Sequence, residues 1–486
     1  MKRISILIAV ILLMTSLPAF ATTYYVRLGG SDSNLGTSNT DAGAWQTIGK
    51  CSSTMVAGDS CNVQAGTYNE RVTSMSNAGS AGNLITYLAS GTVNMKGFVI
   101  NKNYIVVNGF NINNCGSVTG CIDSRGDYVQ ILNNTVNSAG NTNSNSGYGV
   151  AIGYAMLPPP DHVTVSGNHI YNTAGSTFHM ILVATNSTVS NNEFGPGNNV
   201  EAILGWGHDN HITGNYFHDY TVTGVTHVDM FQTYGDCGAA WCQTAYNFWF
   251  ERNFLINIVH DMFMVSNDNR STLHDLYFIN NIIVSTGIQS GLGCPYTYVL
   301  NNTFIDVSYT NQNGVVLFDN SAGEDSSNTT VANNLIIQTY NQPPYSIDPG
   351  SLPGRVMDYN YATYRSGSNY NAISGWSETH GVNGGNPYLA NYTGSDACGT
   401  FNWSTHTCSN FDLHLTANST RVIGKGNNYS SIFTTDYDGN ARPATGAWDI
   451  GAYQYGSGSS NTTLTVTEAG TGTGTVTSSL VFNSRN

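Results

Sequence analysis

The most informative feature of the chain is a recurring pattern of apolar and polar positions. Val129-Gln-Ile-Leu-Asn-Asn-Thr-Val, Val163-Thr-Val-Ser-Gly-Asn-His-Ile, His211-Ile-Thr-Gly-Asn-Tyr-Phe and Tyr298-Val-Leu-Asn-Asn-Thr-Phe-Ile share it. Each is a short alternating stretch, then Asn, then a second short stretch. Alternation over a few residues marks a half-buried strand. The aligned residues are Asn134, Asn168, Asn192, Asn215, Asn253, Asn281, Asn302 and Asn334, with shortest gaps of 21, 23 and 24 residues. A period near 22 residues with three short strands per repeat predicts an all-β solenoid, a right-handed parallel β-helix with capped ends. Asn suits the bend between strands because it tolerates left-handed backbone. Stacked one coil apart, about 4.8 Å, the asparagines can bond to one another as a ladder. A sandwich also has many short strands, but it does not require Asn at one fixed point of every repeat.

Composition agrees with this reading. Only 9% of residues are charged, against 53 Gly and 29 Tyr, which suits tight turns and short strands rather than amphipathic helices. The first residues predict a secretory signal peptide: Lys2 and Arg3, the apolar run Ile4 to Leu13, and Ala19-Phe20-Ala21 as cleavage site, leaving Thr22 as the mature start. No segment is long and apolar enough to span a membrane. Removing Lys2 and Arg3 leaves 14 basic residues against 30 acidic ones, a formal charge of −16. Such a chain is a poor ligand for nucleic acid. It also repels a polyanion unless a cation or a local basic patch intervenes. Export permits disulfides. The close pairs Cys51/Cys61, Cys115/Cys121, Cys237/Cys242 and Cys398/Cys408 predict four local staples, with Cys294 left over.

Two further stretches carry a resemblance. Trp45-Gln-Thr-Ile, Ala57-Gly-Asp-Ser-Cys-Asn-Val and Ala65-Gly-Thr-Tyr-Asn-Glu-Arg are similar to the opening of secreted bacterial β-helix proteins of the pectate-lyase-like superfamily. Asp436-Tyr-Asp-Gly-Asn-Ala-Arg-Pro and Asp449-Ile-Gly-Ala-Tyr-Gln-Tyr resemble its closing segment. The resemblance covers roughly residues 22–455 and implies an extracellular or cell-surface setting. Fold alone does not fix activity, because this fold hosts lyases, hydrolases, epimerases and adhesins. The expected organisation is a signal peptide over 1–21 and the β-helix over 22–455. Within it, 22–95 form the cap and first coils, 96–345 the central coils, and 346–455 the last coils and closing segment. A Gly/Ser linker follows over 456–462. Residues 463–486 read either as the start of a truncated β repeat module or as a disordered tail.

Chemistry on a β-helix collects in columns of residues from successive coils. The segments His179-Met-Ile-Leu, Glu201-Ala-Ile-Leu, Asp229-Met-Phe-Gln and Asp261-Met-Phe-Met predict one such column. Stacked carboxylates need a proton, a cation or a ligand between them, so the column is the candidate site. Asp229, Asp261, His227, His260 and Arg270 are the catalytic candidates. His179, Trp206, Tyr234, Trp241 and Arg252 are candidates for substrate binding, with Cys237/Cys242 stiffening the Tyr234 loop. Glu201, Asp229 and Asp261 offer the oxygen donors that Ca²⁺ prefers; no other cofactor is expected.

Three functions fit. The first is a polysaccharide lyase acting on a uronate glycan, with His227, His260 or Arg270 as base; an Arg base is what the resemblance implies. Lys is scarce and far from the column, which speaks against a Lys base. The second is a glycoside hydrolase using paired carboxylates, although the Asn-Thr-Asp, Asp-Asp and Gly-His-Gly motifs of β-helix polygalacturonases are absent. The third is a non-catalytic surface protein that binds carbohydrate. The expected partner is a polysaccharide, and the expected state is a monomer without nucleic acid.

Overall fold

The computed structural model describes residues 21–456 apart from 144–146, 173–177, 224–227, 236–238, 243, 267–272, 289, 308–315, 319–324, 340–342, 348–352, 367–368, 393–396 and 406. The expected signal peptide up to residue 20, the linker from residue 457 and the tail therefore lie outside the described residues.

The chain winds as a right-handed parallel β-helix whose coils each feed three sheets. The first sheet contains Gly120–Ser124, Tyr148–Ile152, Phe178–Thr185, Phe231–Tyr234 and Phe263–Ser266. The second contains Gln130–Leu132, Thr164–Ser166, Thr188–Ser190, Ala245–Glu251, Leu273–Ile279 and Thr297–Leu300. The third contains Thr135–Asn137, His169–Asn172, Glu193–Asn198, Tyr216–Thr221, Phe254–Asp261 and Ile282–Ile288. The long strand Ile203–Thr213 passes through a bend and serves the first sheet and then the second. Inward residues fill a continuous core. Phe194, Phe217 and Phe250 are fully buried and stack from coil to coil, with ring centroids 4.9 and 5.7 Å apart.

Two one-residue bends set the shape of each coil, and both use left-handed backbone. Between the first and second sheets the bend falls on Tyr104, Tyr128, His162, Asn186, Asp209, Asn247 and Asp275 in successive coils. Between the second and third it falls on Asn133, Gly167, Asn191, Gly214, Arg252, Asn280, Asn301 and Asn333. This second bend explains the recurring Asn-Asn and Gly-Asn dipeptides. The first residue takes the positive φ, which Gly and Asn adopt at little cost. The second residue is the buried ladder asparagine.

All eight expected asparagines form the ladder. The backbone N–H and the side-chain amide of each donate to the Oδ1 of the next, as from Asn215 to Asn253 at 2.9 and 3.0 Å. The amide also donates backwards to a backbone carbonyl, as from Asn253 to Ile212 at 2.9 Å. The ladder runs further than the repeat pattern shows, to Asn360. There Glu378 accepts from the Asn360 backbone N–H at 2.9 Å and from its amide at 2.8 Å. Burial pushes the Glu378 carboxyl up to about 7, against the opposing pull of the Asn360 bonds.

Both ends of the solenoid are covered, which removes exposed strand edges. At the start, Glu70 accepts from the backbone N–H groups of Ile48 and Gly49 at the head of a short helix, Ile48–Thr54. At the far end the closing segment runs back along the second bend. Asn280, Asn301 and Asn333 donate their side-chain amides to its carbonyls at Thr435, Asp449 and Asn427. Arg442 is buried there and donates to Asn280 Oδ1 at 2.8 Å and to the carbonyl of Ala452 at 2.9 Å. Disulfides Cys51–Cys61, Cys115–Cys121 and Cys398–Cys408 staple local loops, as expected, and Cys294 is buried. Cys242 is also disulfide-bonded, while Cys237 lies outside the described residues. No helix among the described residues is long and apolar enough to cross a membrane.

Candidate functional site

The first sheet brings three of the four expected column residues together. Ile203, Phe231 and Phe263 share one register position on consecutive coils. Ala202 N–H donates to the Asp229 carbonyl, and Met230 N–H to the Asp261 carbonyl. Glu201, Asp229 and Asp261 therefore stack one coil apart, about 4.8 Å per step. Asp229 is fully buried, Asp261 is 8% exposed and Glu201 is half-buried.

His179 does not belong to this column. Met180 pairs with Ile203, so Phe178 takes the position aligned with Glu201. A one-residue shift sends a neighbouring side chain to a different environment. His179 lies fully buried in the core, with Nδ1 2.6 Å from the Tyr220 hydroxyl and no hydrogen-bond partner at Nε2. Burial, reinforced by His169 and His218, drives its imidazole down to about 3, so it stays neutral. It is a core residue and does not reach a substrate.

The column continues upstream as aromatic residues that the sequence reading missed. Tyr148 pairs with Phe178, so Tyr148, Phe178, Glu201, Asp229 and Asp261 occupy five consecutive coils. The Tyr148 ring packs on Phe178 at 5.4 Å and on Tyr154 at 5.7 Å, and Tyr154 packs on Trp241 at 5.1 Å. Burial first, then the nearby Tyr154, Tyr234 and Glu201, raise the Tyr148 phenol well above its ordinary range. The signal was present in the sequence: Tyr148-Gly-Val-Ala-Ile and Phe178-His-Met-Ile-Leu match the Asp-Met-Phe segments once the register is moved by one.

Trp206, Tyr234 and Trp241 do cluster. Trp206 meets Tyr234 at 5.0 Å and Trp241 at 5.6 Å, edge to face, and its Nε1 donates to the Tyr234 carbonyl. Trp206 is only 1% exposed, so it supports the cluster from beneath and cannot itself stack on a ligand. Tyr234 and Trp241 are partly exposed.

Arg252 is placed elsewhere. It is the left-handed bend residue before Asn253, at φ 53°, and it donates to Thr213 Oγ1 at 3.2 Å. Its role is at the bend, away from the acidic column. His227 and Arg270 lie outside the described residues, as does the side chain of His260. Among the described residues, no three His, Cys, Asp or Glu side chains gather as a cation-binding group.

A different titratable cluster lies on the third sheet. His218 bridges Glu193 at 3.1 Å and Asp219 at 2.9 Å. Burial alone would lower this imidazole, but the two carboxylates outweigh it and push it up to about 9.

No family model matches the sequence, and no curated protein matches it. Similar solved structures exist. A PL6 family polysaccharide lyase from Pseudopedobacter saltans is 14% identical, with TM-score 0.41, over 64% of this chain and 89% of that one. Pectate lyase Pel9A is 14% identical, with TM-score 0.39, over 90% of this chain and 97% of that one. A tailspike protein of E. coli bacteriophage HK620, in complex with a pentasaccharide, is 13% identical, with TM-score 0.43, over 63% and 59%. Likeness of this degree decides nothing about the reaction, which has to be read from the residues of the site.

Proposed function

We propose that the protein cleaves a polysaccharide at the first-sheet column, by hydrolysis, with Glu201 and Asp261 as its acid–base pair. One observation carries this reading: three carboxylates in one register column, continued by an aromatic surface. Neighbouring members are about 4.8 Å apart, and Glu201 and Asp261, two coils apart, are about 9.6 Å apart along the column. The first spacing suits a retaining pair, and the second sits at the wide end of the inverting range. The less buried members are Glu201 and Asp261, so the wider pair is the better candidate.

In this scheme Asp261, the more buried of the two, is the general acid and protonates the leaving glycosidic oxygen. Glu201 takes a proton from the water that attacks the anomeric carbon from the opposite face. The carbon–oxygen bond breaks, and a reducing end of inverted configuration forms. Asp229, shielded between them, is a positioning residue. Partly exposed Tyr154, Tyr234 and Trp241 give the sugar an aromatic surface. Glu201, Asp229 and Asp261 offer the oxygen donors that Ca²⁺ prefers, so Ca²⁺ is an arm of the test.

The mature protein is incubated with neutral and uronate polysaccharides, with and without Ca²⁺, and the products are weighed by mass spectrometry. Water-added fragments are expected. Glu201→Gln and Asp261→Asn are each expected to slow cleavage by about a hundredfold or more. Fragments one water short would replace hydrolysis by β-elimination, the chemistry placed first by the sequence. Full activity in both variants, or no cleavage of any polymer, would overturn the proposed site.

A further inference from the structure

We propose that the second sheet carries a separate glycan-binding groove, which takes an extended, neutral polysaccharide lying along the coil axis. The groove encloses about 500 Å³ beside the first-to-second-sheet bend. Its wall is a stack of three rings, Tyr104, Tyr128 and His162, with centroids 4.6 and 4.9 Å apart and planes inclined by 0° and 20°. Its floor is one register column, Gln130, Thr164 and Thr188.

The wall is built in part against local preference. Tyr104, Tyr128 and His162 sit at φ 59°, 56° and 55°. Tyrosine is uncommon there, whereas histidine is among the types enriched in this backbone, and a tyrosine returns to the same bend at Tyr296, φ 56°, beyond the groove. The next four coils fill the same bend with Asn186, Asp209, Asn247 and Asp275, residue types that favour left-handed backbone. The end of the wall is also pinned. Asp161 accepts from Thr185 Oγ1 at 2.6 Å and from the Asn186 amide at 2.8 Å, and it lies 2.6 Å from His162 Nδ1.

The lining chooses the ligand class. Tyr128 is 38% exposed; its two faces are covered by Tyr104 and His162, so it presents its ring edge and hydroxyl to the groove. The floor offers hydroxyl and amide groups once per coil, a spacing of the same order as the repeat of an extended glycan. No Lys or Arg lines the groove, and the formal charge of −14 disfavours a polyanion. The floor column continues as His211 and then Trp249, whose rings stack at 5.6 Å, so a long chain can run on past the groove.

Binding on this sheet does not require cleavage on the first, so it is measured in the Glu201→Gln background. The test is electrophoresis through gels containing xylan, mixed-linkage β-glucan or polygalacturonate. Retardation by a neutral glycan is expected. Tyr128→Ala should weaken it by about tenfold in Kd, Thr164→Trp should abolish it by filling the groove, and Tyr128→Phe, which keeps the ring edge, should weaken it less than Tyr128→Ala. Thermal melts of each variant confirm that the fold is intact. No retardation by either neutral glycan, or equal retardation in all variants, would overturn the groove. Retardation by polygalacturonate alone would overturn the neutral class. Absence of cleavage by the unsubstituted protein, with glycan binding retained, would reject the first-sheet reaction and leave the groove standing.

Discussion

His179 and Tyr220 form a buried polar pair whose energetics depend on pH. The imidazole is held down to about 3 in the folded protein, largely by burial, against an ordinary value of about 6.5. The unfolded chain therefore binds a proton between these values and the folded one does not. Stability is fully present above about pH 6.5 and is lost as pH falls towards 3. The full difference corresponds to about 5 kcal/mol, and to about 3 kcal/mol at pH 4.5. Replacing both partners, as His179→Phe with Tyr220→Phe, removes the titrating group without orphaning a hydroxyl, a change that can be nearly neutral. For a chain of this length, about 3 kcal/mol moves the melting temperature by about 3 °C if the solenoid melts as one unit. Calorimetric melts at pH 7.5 and 4.5 should show the gap between the two temperatures narrowed by about that amount in the double variant. Other acid-sensitive groups cancel in this comparison. An unchanged gap would refute the assignment of His179 as a neutral core residue.

The ladder makes a second expectation: Asn253→Leu leaves the Asn215 donors and the Ile212 carbonyl unmatched, at about 1–3 kcal/mol each, so a drop in melting temperature of several degrees is expected and a drop below one degree counts against it. His218 works in the opposite sense to His179. Its value is raised to about 9, so its contribution is full below about pH 6.5 and is lost as pH rises through 9; His218→Gln should flatten the alkaline fall of the melting temperature, and an unaltered fall would contradict the bridge. Arg252→Gly keeps the left-handed bend and gives up only a partly exposed bond, so its melting temperature should stay within about two degrees of the parent, whereas Arg252→Val should lose more.

The sequence carried the solenoid because its determinants are local and repeated. Each coil needs a small or amide residue at a left-handed bend, a ladder Asn behind it and alternating strands on either side. These requirements recur at a fixed point of every repeat. The three described cysteine pairs were legible for a related reason: both partners lie within ten residues. The closing segment was recognisable too, although its partners Asn280, Asn301 and Asn333 lie about a hundred residues or more upstream.

The candidate acidic column was legible in part. Glu201, Asp229 and Asp261 each stand two residues before an aligned core residue, Ile203, Phe231 or Phe263, so their alignment followed from the repeat. His179 failed because Met180, and not the residue after it, takes the register position of Ile203. In a solenoid one residue of register separates the acidic column from the core, and only the hydrogen-bonded pairing of adjacent coils fixes it. Trp206 failed because the loop carrying Trp241 covers it, and loop packing leaves no periodic trace. The Tyr104, Tyr128 and His162 wall is hidden for a like reason: the three residues are 24 and 34 positions apart, and only coil stacking makes them neighbours. Sequence alone determined which residues bend, ladder and alternate; tertiary structure decided which face each side chain meets, because that choice is set between coils rather than within them.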